Sequence, residues 1–135
     1  VILFLNRRGF APALLLMRTG EDNSVVSTNT QLKDAIVVMS KKALGIVCVV
    51  ENDSLVGVFT DGDLRRALSK EIDVYNIVID ELMIRTPITV SSNLLAVEAL
   101  KLMNDRNISA LPVVDDGKLV GTIRINDITG MGIVL

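Results

Sequence analysis

The sequence predicts a mixed α+β protein built from two tandem β-α-β-β-α units, packed sheet to sheet with pseudo-two-fold symmetry. The first observation is a repeat at an offset of 64 residues, with eleven identical pairs over residues 26–63. Chance would give roughly two or three such pairs for an average composition. The second is that each copy alternates β-branched runs with helical apolar stripes. Half of the 135 residues are hydrophobic, which is enough for a sizeable core.

The first copy can be assigned element by element. A short extended piece, Val25-Val26, leads into a Ser/Thr/Asn cluster that suits a helix N-cap. The helix that follows has one apolar stripe, and a buried strand is predicted over Ile46–Val50. A polar turn and a second strand, Leu55–Phe59, complete a hairpin, and another helix begins near Gly62. The apolar stripe consists of Leu32, Ala35, Ile36 and Met39.

The second copy follows the same order. Thr89-Val90 is extended, the strands are Leu111–Val114 and Leu119–Ile123, and the last helix begins near Asn126. A further short helix is predicted between the copies, over residues 80–83. The stripe of the long helix consists of Ala96, Ala99, Leu100 and Met103.

The repeat also sets the predicted domain bounds. Residues 1–13 are interpreted as a linker or divergent junction, residues 14–70 as the first domain, residues 71–84 as a linker and residues 85–135 as the second domain. The opening apolar run is too short for a membrane span and lacks the basic region of a signal peptide.

Composition excludes several classes of function. The net charge is −2 with mixed signs, so no basic surplus indicates a nucleic-acid partner. The chain has no histidine, which argues against a zinc site and a histidine-based triad. The lone cysteine, Cys48, lies in an apolar run and is expected to pack in the core. We therefore expect a cytoplasmic protein without a structural disulfide or a metal.

The repeated unit resembles a CBS domain. The resemblance rests on Leu55–Leu64 in the first copy, and on Ile108–Asp115 and Leu119–Gly121 in the second. It implies a non-catalytic regulatory pair that binds a nucleotide-type ligand. Because CBS pairs commonly dimerise, it also implies a homodimer formed through the helices that flank the sheets.

A narrower resemblance is to the CBS region of bacterial arabinose-5-phosphate isomerases. It rests on Met17–Asp22, Phe59–Leu68 and Leu95–Leu100. That family joins an N-terminal sugar isomerase domain to a CBS pair and starts the route to 3-deoxy-D-manno-octulosonate, a sugar of lipopolysaccharide and some capsules. The isomerase domain and its catalytic histidine are absent here, and Arg7-Arg8 stand where a basic pair joins the two parts. The resemblance implies a regulatory half that is not itself an enzyme.

The candidate site centres on Thr60 and Asp63. Thr60 ends a strand and Asp63 lies in the first turn of the next helix, where free N–H groups favour a carboxylate. A carboxylate there can accept from both hydroxyls of a ribose, and the Thr60 hydroxyl can help to hold a phosphate. The alternative is that Thr60 and Asp63 only cap the helix.

The resemblance assigns further ligand contacts. It places a base slot at Ser24 in the first copy and Ile88 in the second. It places phosphate contacts just before each central strand, at Gly45-Ile46 and at Ser109-Ala110. The ligand that it implies is an adenine nucleotide or a CMP-activated octulosonate.

The second copy departs from the first at one position. Asp127 matches Asp63, but Arg124 stands where the first copy has its threonine. The arginine either binds a phosphate or carboxylate, fills and closes the second site, or lies on the surface. We expect two copies that share a fold but not a binding role, in an asymmetric receptor for an acidic ligand.

The sequence also allows other interpretations of the helix arginines and of the function of the pair. Arg65 and Arg66 either reach a ligand phosphate or are solvated. The pair is alternatively a structural oligomerisation module that binds nothing, or a stand-alone regulator of another protein. Asp61 and Asp63 lie two residues apart, so they need not face each other, and catalysis by this chain is not expected.

Overall fold

The computed structural model describes residues 10–135, and the Arg7-Arg8 pair lies outside the described residues. The described chain contains five strands and four α-helices, and their order repeats. The strands are β1 (Val25–Ser27), β2 (Ile46–Glu51), β3 (Ser54–Thr60), β4 (Ala110–Asp115) and β5 (Lys118–Arg124). The α-helices are α1 (Leu32–Lys42), α2 (Asp61–Ser69), α3 (Ala96–Arg106) and α4 (Ile125–Thr129). The predicted α+β class and the tandem repeat are confirmed. No helix of the described residues is long and apolar enough to cross a membrane.

The described chain divides into two compact units. The first unit is residues 21–87, and the second unit is residues 10–20 together with residues 88–135. These units are set by contacts, whereas the domain bounds proposed above follow the repeat, and those bounds stay a prediction. A 3₁₀ turn over Ile79–Glu81 lies where the short helix between the copies is predicted.

In the first unit, β1 pairs with β2 in parallel and β2 pairs with β3 as an antiparallel hairpin. The hairpin turn uses Asn52 and Asp53 at φ 53° and 66°, a pair of left-handed residues that suits the twist of the strands. The helix α1 ends at Ala43 in the same left-handed region. The stripe predicted for α1 packs on the strands, and the buried core consists of Leu32, Ala35, Met39, Val47, Val49, Phe59, Ile79 and Met83.

The second unit repeats this arrangement. Val90 forms a parallel bridge to Val113, and β4 and β5 form the hairpin, with Asp116 and Gly117 at positive φ in its turn. Each hairpin has a register shift at the equivalent position of its first strand. The buried core of this unit consists of Ala13, Val90, Ala96, Ala99, Leu100, Met103, Leu111, Val113, Ile123, Ile128 and Ile133.

A short segment from in front of the opposite repeat completes each unit. In the second unit, Arg18 exchanges two backbone hydrogen bonds of 2.7 and 2.9 Å with Thr122 on β5. In the first unit, Ile84 exchanges two of 2.8 and 3.0 Å with Val58 on β3. The residues before the first copy therefore belong to the hairpin of the second copy, and the residues before the second copy to the hairpin of the first.

This exchange explains the glycine of the repeated Leu-Val-Gly motif. A Cβ atom on Gly57 would lie 2.5 Å from the sulfur of Met83, and one on Gly121 would lie 2.8 Å from the sulfur of Met17. Both distances are well inside van der Waals contact. A backbone carbonyl of the crossing segment also lies close to each new Cβ, that of Ile84 at 3.0 Å and that of Arg18 at 2.8 Å. Because backbone cannot move aside as a methionine side chain can, the two strands need glycine at these positions.

Candidate functional site

The predicted ligand residues of the first unit gather at one end of its strands. Ile46 begins β2 directly opposite Thr60, the last residue of β3. The carbonyl of Gly45 accepts a 3.1 Å hydrogen bond from the N–H of Asp61, and the carbonyl of Ser24 accepts one of 2.8 Å from Cys48 on β2. The strand register thus brings together Ser24, Gly45-Ile46 and the Thr60 motif, which the sequence separates by almost 40 residues.

The Ser24 hydroxyl is the most unusual group in this cluster. Its residue is completely buried, and its oxygen has no hydrogen-bond partner among the described residues. The backbone around it is paired, because the N–H of Ser24 donates to the side chain of the buried Asn23 over 2.8 Å. A buried hydroxyl without a partner costs about 1–3 kcal/mol, so this position retains an unused hydrogen-bonding group at a structural cost.

Thr60 and Asp63 form a reciprocal cap at the start of α2. The Thr60 hydroxyl accepts from the N–H of Asp63 over 3.2 Å, and Asp63 Oδ2 accepts from the N–H and the hydroxyl of Thr60, each over 2.9 Å. Thr60 and Asp63 therefore cap α2 in this structure. Three hydrogen bonds between two residues fix the carboxylate against the helix terminus.

The cap leaves part of the Asp63 carboxylate available. A carboxylate offers about four acceptor positions, and three of them are used here. Two are the internal bonds from Thr60, and the third is a 2.5 Å contact between Arg66 and Oδ1. The Arg66 side chain is 65% exposed, so this ion pair is weak and easily exchanged. Asp63 can therefore offer two acceptor positions to a ligand while its cap stays in place. Arg65 is exposed on the same helix.

The second unit gathers its predicted residues in the same way. Ala110 begins β4 opposite Arg124, and the carbonyl of Ser109 accepts a 2.9 Å hydrogen bond from Ile125, the counterpart of the Gly45 bond. The chemistry of the cluster differs, however. Ile88, the counterpart of Ser24, is apolar and 36% exposed. Ser109 is exposed, and Arg124 has no side-chain cap on α4.

Asp127 is held by two arginines. Arg18 donates from Nε and from Nη2 to the two carboxylate oxygens over 3.0 and 2.8 Å, and Arg124 makes the same pair of contacts over 3.2 and 2.9 Å. The Asp127 side chain is 15% exposed. The hydrogen bonds from Arg18 are the largest influence on the carboxyl group, and the hydrogen bonds and charge of Arg124 act in the same direction. Together they outweigh the effect of burial and lower the pKa of Asp127 to about 2. We call Arg18, Asp127 and Arg124 the arginine clasp.

Sequence reasoning missed Arg18. Its motif is part of the resemblance described above, but nothing local connects it to a carboxylate 109 residues away. The available signal was the repeat itself, because the second repeat places Ile84 at the position equivalent to Arg18. Only recognition of the exchanged segments would have placed that position beside β5 rather than β3.

A shallow groove of about 480 Å³ lies at the hairpin end of the first unit, away from Thr60. None of the predicted ligand residues lines it. Its lining consists of Thr28, Asn29, Glu51, Val56, Val78, Asp80, Met83 and Arg85. Asp80 and Arg85 form an exposed ion pair there, with a 3.2 Å contact. The residues predicted to bind the ligand therefore form a cluster separate from this groove.

Comparison with known proteins identifies relatives over most of the chain. The family model described as "CBS domain" matches residues 16–70 and 79–131. The arabinose 5-phosphate isomerase KdsD of Pseudomonas aeruginosa is 42% identical over 132 residues, which cover 96% of this chain and 40% of that protein. The Yersinia pestis protein of the same name is 39% identical over 120 residues, which cover 88% and 37%. The chain thus spans about two fifths of the length of these curated relatives.

A solved structure shares the fold. The crystal structure of CBSX2 in complex with AMP superposes with a TM-score of 0.73 at 27% identity, covering 88% of this chain and 93% of that chain. CBSX2 is a CBS-pair protein from Arabidopsis thaliana.

Proposed function

This chain belongs to the CBS domain family, as a tandem pair, and we propose that it is a non-catalytic regulatory module that binds a nucleotide or nucleotide-activated sugar in its first unit. The proposal rests on two groups at one end of the first unit's strands, the Ser24 hydroxyl and the Asp63 carboxylate. A buried hydroxyl without a partner lies beside the same strands as a capped carboxylate that retains acceptor positions. These are the groups that a nucleoside needs.

The chemistry of a nucleotide matches the cluster group by group. Vicinal ribose hydroxyls supply two donors, and Asp63 offers two acceptor positions once the exposed Arg66 moves aside. Because Ser24 is completely buried, a base can supply the missing partner of its hydroxyl once the residues that cover it shift on binding. Gly45, at φ 73°, presents its backbone closely at the start of β2, where the phosphate contact is proposed. The AMP complex of CBSX2 supports this class of ligand.

Titration calorimetry tests the proposal with AMP and with CMP-activated octulosonate as probes. One of the two is expected to bind, and Asp63→Asn is expected to weaken it at least about ten-fold, because hydrogen bonds to a charged group contribute about 1.5–3 kcal/mol each. Asp116→Asn is the matched control, since Asp116 is an exposed turn residue at φ 51°, a conformation that asparagine tolerates. Absence of binding by both probes would overturn the proposal.

We also propose that the parent protein is an arabinose 5-phosphate isomerase of 3-deoxy-D-manno-octulosonate biosynthesis, whose activity this module regulates. Identity of 42% and 39% to two proteins of that name supports the proposal. Sequencing of the coding region upstream of Val1 tests it. An isomerase domain in frame is expected, and a stop codon directly upstream would favour the stand-alone regulator.

A second candidate function is oligomerisation. Val37 on α1 and Leu68 on α2 are 50% and 54% exposed, so each of these helices presents a large apolar side chain to solvent. We propose that these helices mediate a homodimer. Light scattering is expected to give twice the chain mass, and Val37→Lys with Leu68→Lys is expected to give a monomer. A monomer already in the unsubstituted chain would count against this candidate.

A further inference from the structure

We propose that Arg18 and Arg124 reserve Asp127, so that the second unit does not take a ribose and the chain holds one nucleotide, in the first unit. This inference rests on the proposed function and deepens it, because it assigns the specificity of the pair to two named arginines. It resolves the three roles open to Arg124 in favour of the one that closes the second site.

The two equivalent aspartates differ in how many of their hydrogen-bond acceptor positions are already filled. Asp127 receives four N–H donors, two from each guanidinium, and these fill all of the roughly four positions that a carboxylate offers. Asp63 receives three donors, one of them from the exposed Arg66. The equivalent aspartates therefore differ in the property that a ribose diol requires.

The contacts that a ligand would have to replace are also stronger at Asp127 than at Asp63. Each guanidinium meets Asp127 through two parallel N–H···O contacts, which is the strong bidentate arrangement of an arginine–carboxylate pair. Neutral ribose hydroxyls form weaker bonds than charged donors, so they do not displace the arginines. At Asp63 the contact to be displaced is a single bond from a side chain that is 65% exposed.

Two other groups of the first cluster, the hydroxyls of Ser24 and Thr60, have no counterpart in the second. Ile88 replaces Ser24, so the base slot has no side-chain hydrogen-bonding group. Arg124 replaces Thr60, so the last residue of β5 carries no hydroxyl. The second unit therefore lacks the side-chain groups proposed to contact the base and the phosphate, in addition to the free acceptor positions that a ribose needs.

The exchanged segment is what makes the clasp possible. Arg18 reaches Asp127 because its backbone pairs with Thr122 on β5. The equivalent crossing residue in the first unit, Ile84, pairs with Val58 and brings no charge towards Asp63. Replacing Arg18 by isoleucine and Arg124 by threonine would thus give the second unit the residues that the first unit has at the same two positions.

The test is the stoichiometry of AMP binding by calorimetry on the full chain, with circular dichroism to confirm that each variant is folded. The unsubstituted chain is expected to bind one AMP, and Asp127→Asn is expected to change its affinity less than about two-fold. Arg18→Ile with Arg124→Thr is expected to add a second, weaker site, which Asp127→Asn then removes. Asp63→Asn is expected to weaken the first site at least about ten-fold in both backgrounds.

Two AMP molecules on the unsubstituted chain, one of them lost with Asp127→Asn, would overturn the inference but leave the proposed function standing. A folded double variant that still binds one AMP would overturn it as well. If the double variant does not fold, Asp127→Asn in the original background decides the question, because a loss of binding there is incompatible with a reserved carboxylate. Absence of AMP binding in every background, the double variant included, would overturn the inference, and the proposed function too unless CMP-activated octulosonate binds the unsubstituted chain.

Discussion

Replacing Asp127 by asparagine removes the negative charge that holds the arginine clasp together. Asparagine has nearly the same size, so the packing around α4 changes little. The substitution removes the carboxylate that Arg18 and Arg124 share, since both donate to Asp127 through two contacts of 2.8–3.2 Å. We expect a less stable second unit at neutral pH, and a loss of stability that depends on pH.

The magnitude follows from the pKa of Asp127. The pKa in the folded chain is about 2, against an ordinary value of 3.8. A shift of this size corresponds to about 2.5 kcal/mol of stabilisation, because each pKa unit is worth about 1.4 kcal/mol. The Arg18 side chain is 41% exposed, so solvent screening reduces the expected effect to between about 1 and 2 kcal/mol. Because the folded pKa lies below the unfolded one, this stability is fully present above about pH 4 and is lost as the pH falls through about 2.

Urea unfolding of the two proteins at equal concentration, from about pH 7 down to about pH 2, measures this effect. The difference in free energy of unfolding is expected to be constant near neutral pH and to shrink towards zero at the acid end. Asp116→Asn, in an exposed turn, is expected to change stability by less than about 0.5 kcal/mol throughout. A difference in free energy of unfolding that does not vary with pH, or one below about 0.5 kcal/mol at pH 7, would show that the Asp127 charge does not stabilise the second unit.

Two further pairs of substitutions test the packing and the cap. Gly57→Ala is expected to cost about 1–3 kcal/mol, because the new Cβ would lie 2.5 Å from the sulfur of Met83. Gly62→Ala, where the nearest atom is 3.3 Å away on the flexible Arg66 side chain, is expected to be neutral or stabilising in the same urea assay. Thr60→Ala is expected to cost about 1 kcal/mol through loss of the cap on α2, and Thr60→Ser to retain most of it. Equal stabilities within either pair would contradict these assignments.

Local pattern was sufficient to predict the secondary structure. The helical stripe of Leu32, Ala35 and Met39 is buried in α1, and the β-branched runs form the strands, because burial of an apolar face is a local requirement. The sequence also indicated that Thr60 and Asp63 could cap a helix, since an N-cap residue and its partner lie three residues apart.

The arginine clasp was not predictable in the same way. It depends on Arg18 crossing to β5, a pairing between residues more than 100 positions apart. The offset repeat shows which positions are equivalent but not which hairpin each crossing segment joins. The unpaired Ser24 hydroxyl was likewise hidden, because its burial and lack of a partner are properties of the packed unit.

Carboxyl ¹³C NMR during an AMP titration shows directly whether a ligand reaches one or both of the equivalent aspartates. Asp63 and Asp127 are assigned by comparison with their asparagine variants. We expect the Asp63 resonance to move with a saturation curve that reaches one equivalent of AMP, while the Asp127 resonance stays in place. Movement of Asp127 with AMP, or an Asp63 resonance that does not move while AMP binds, would contradict this expectation.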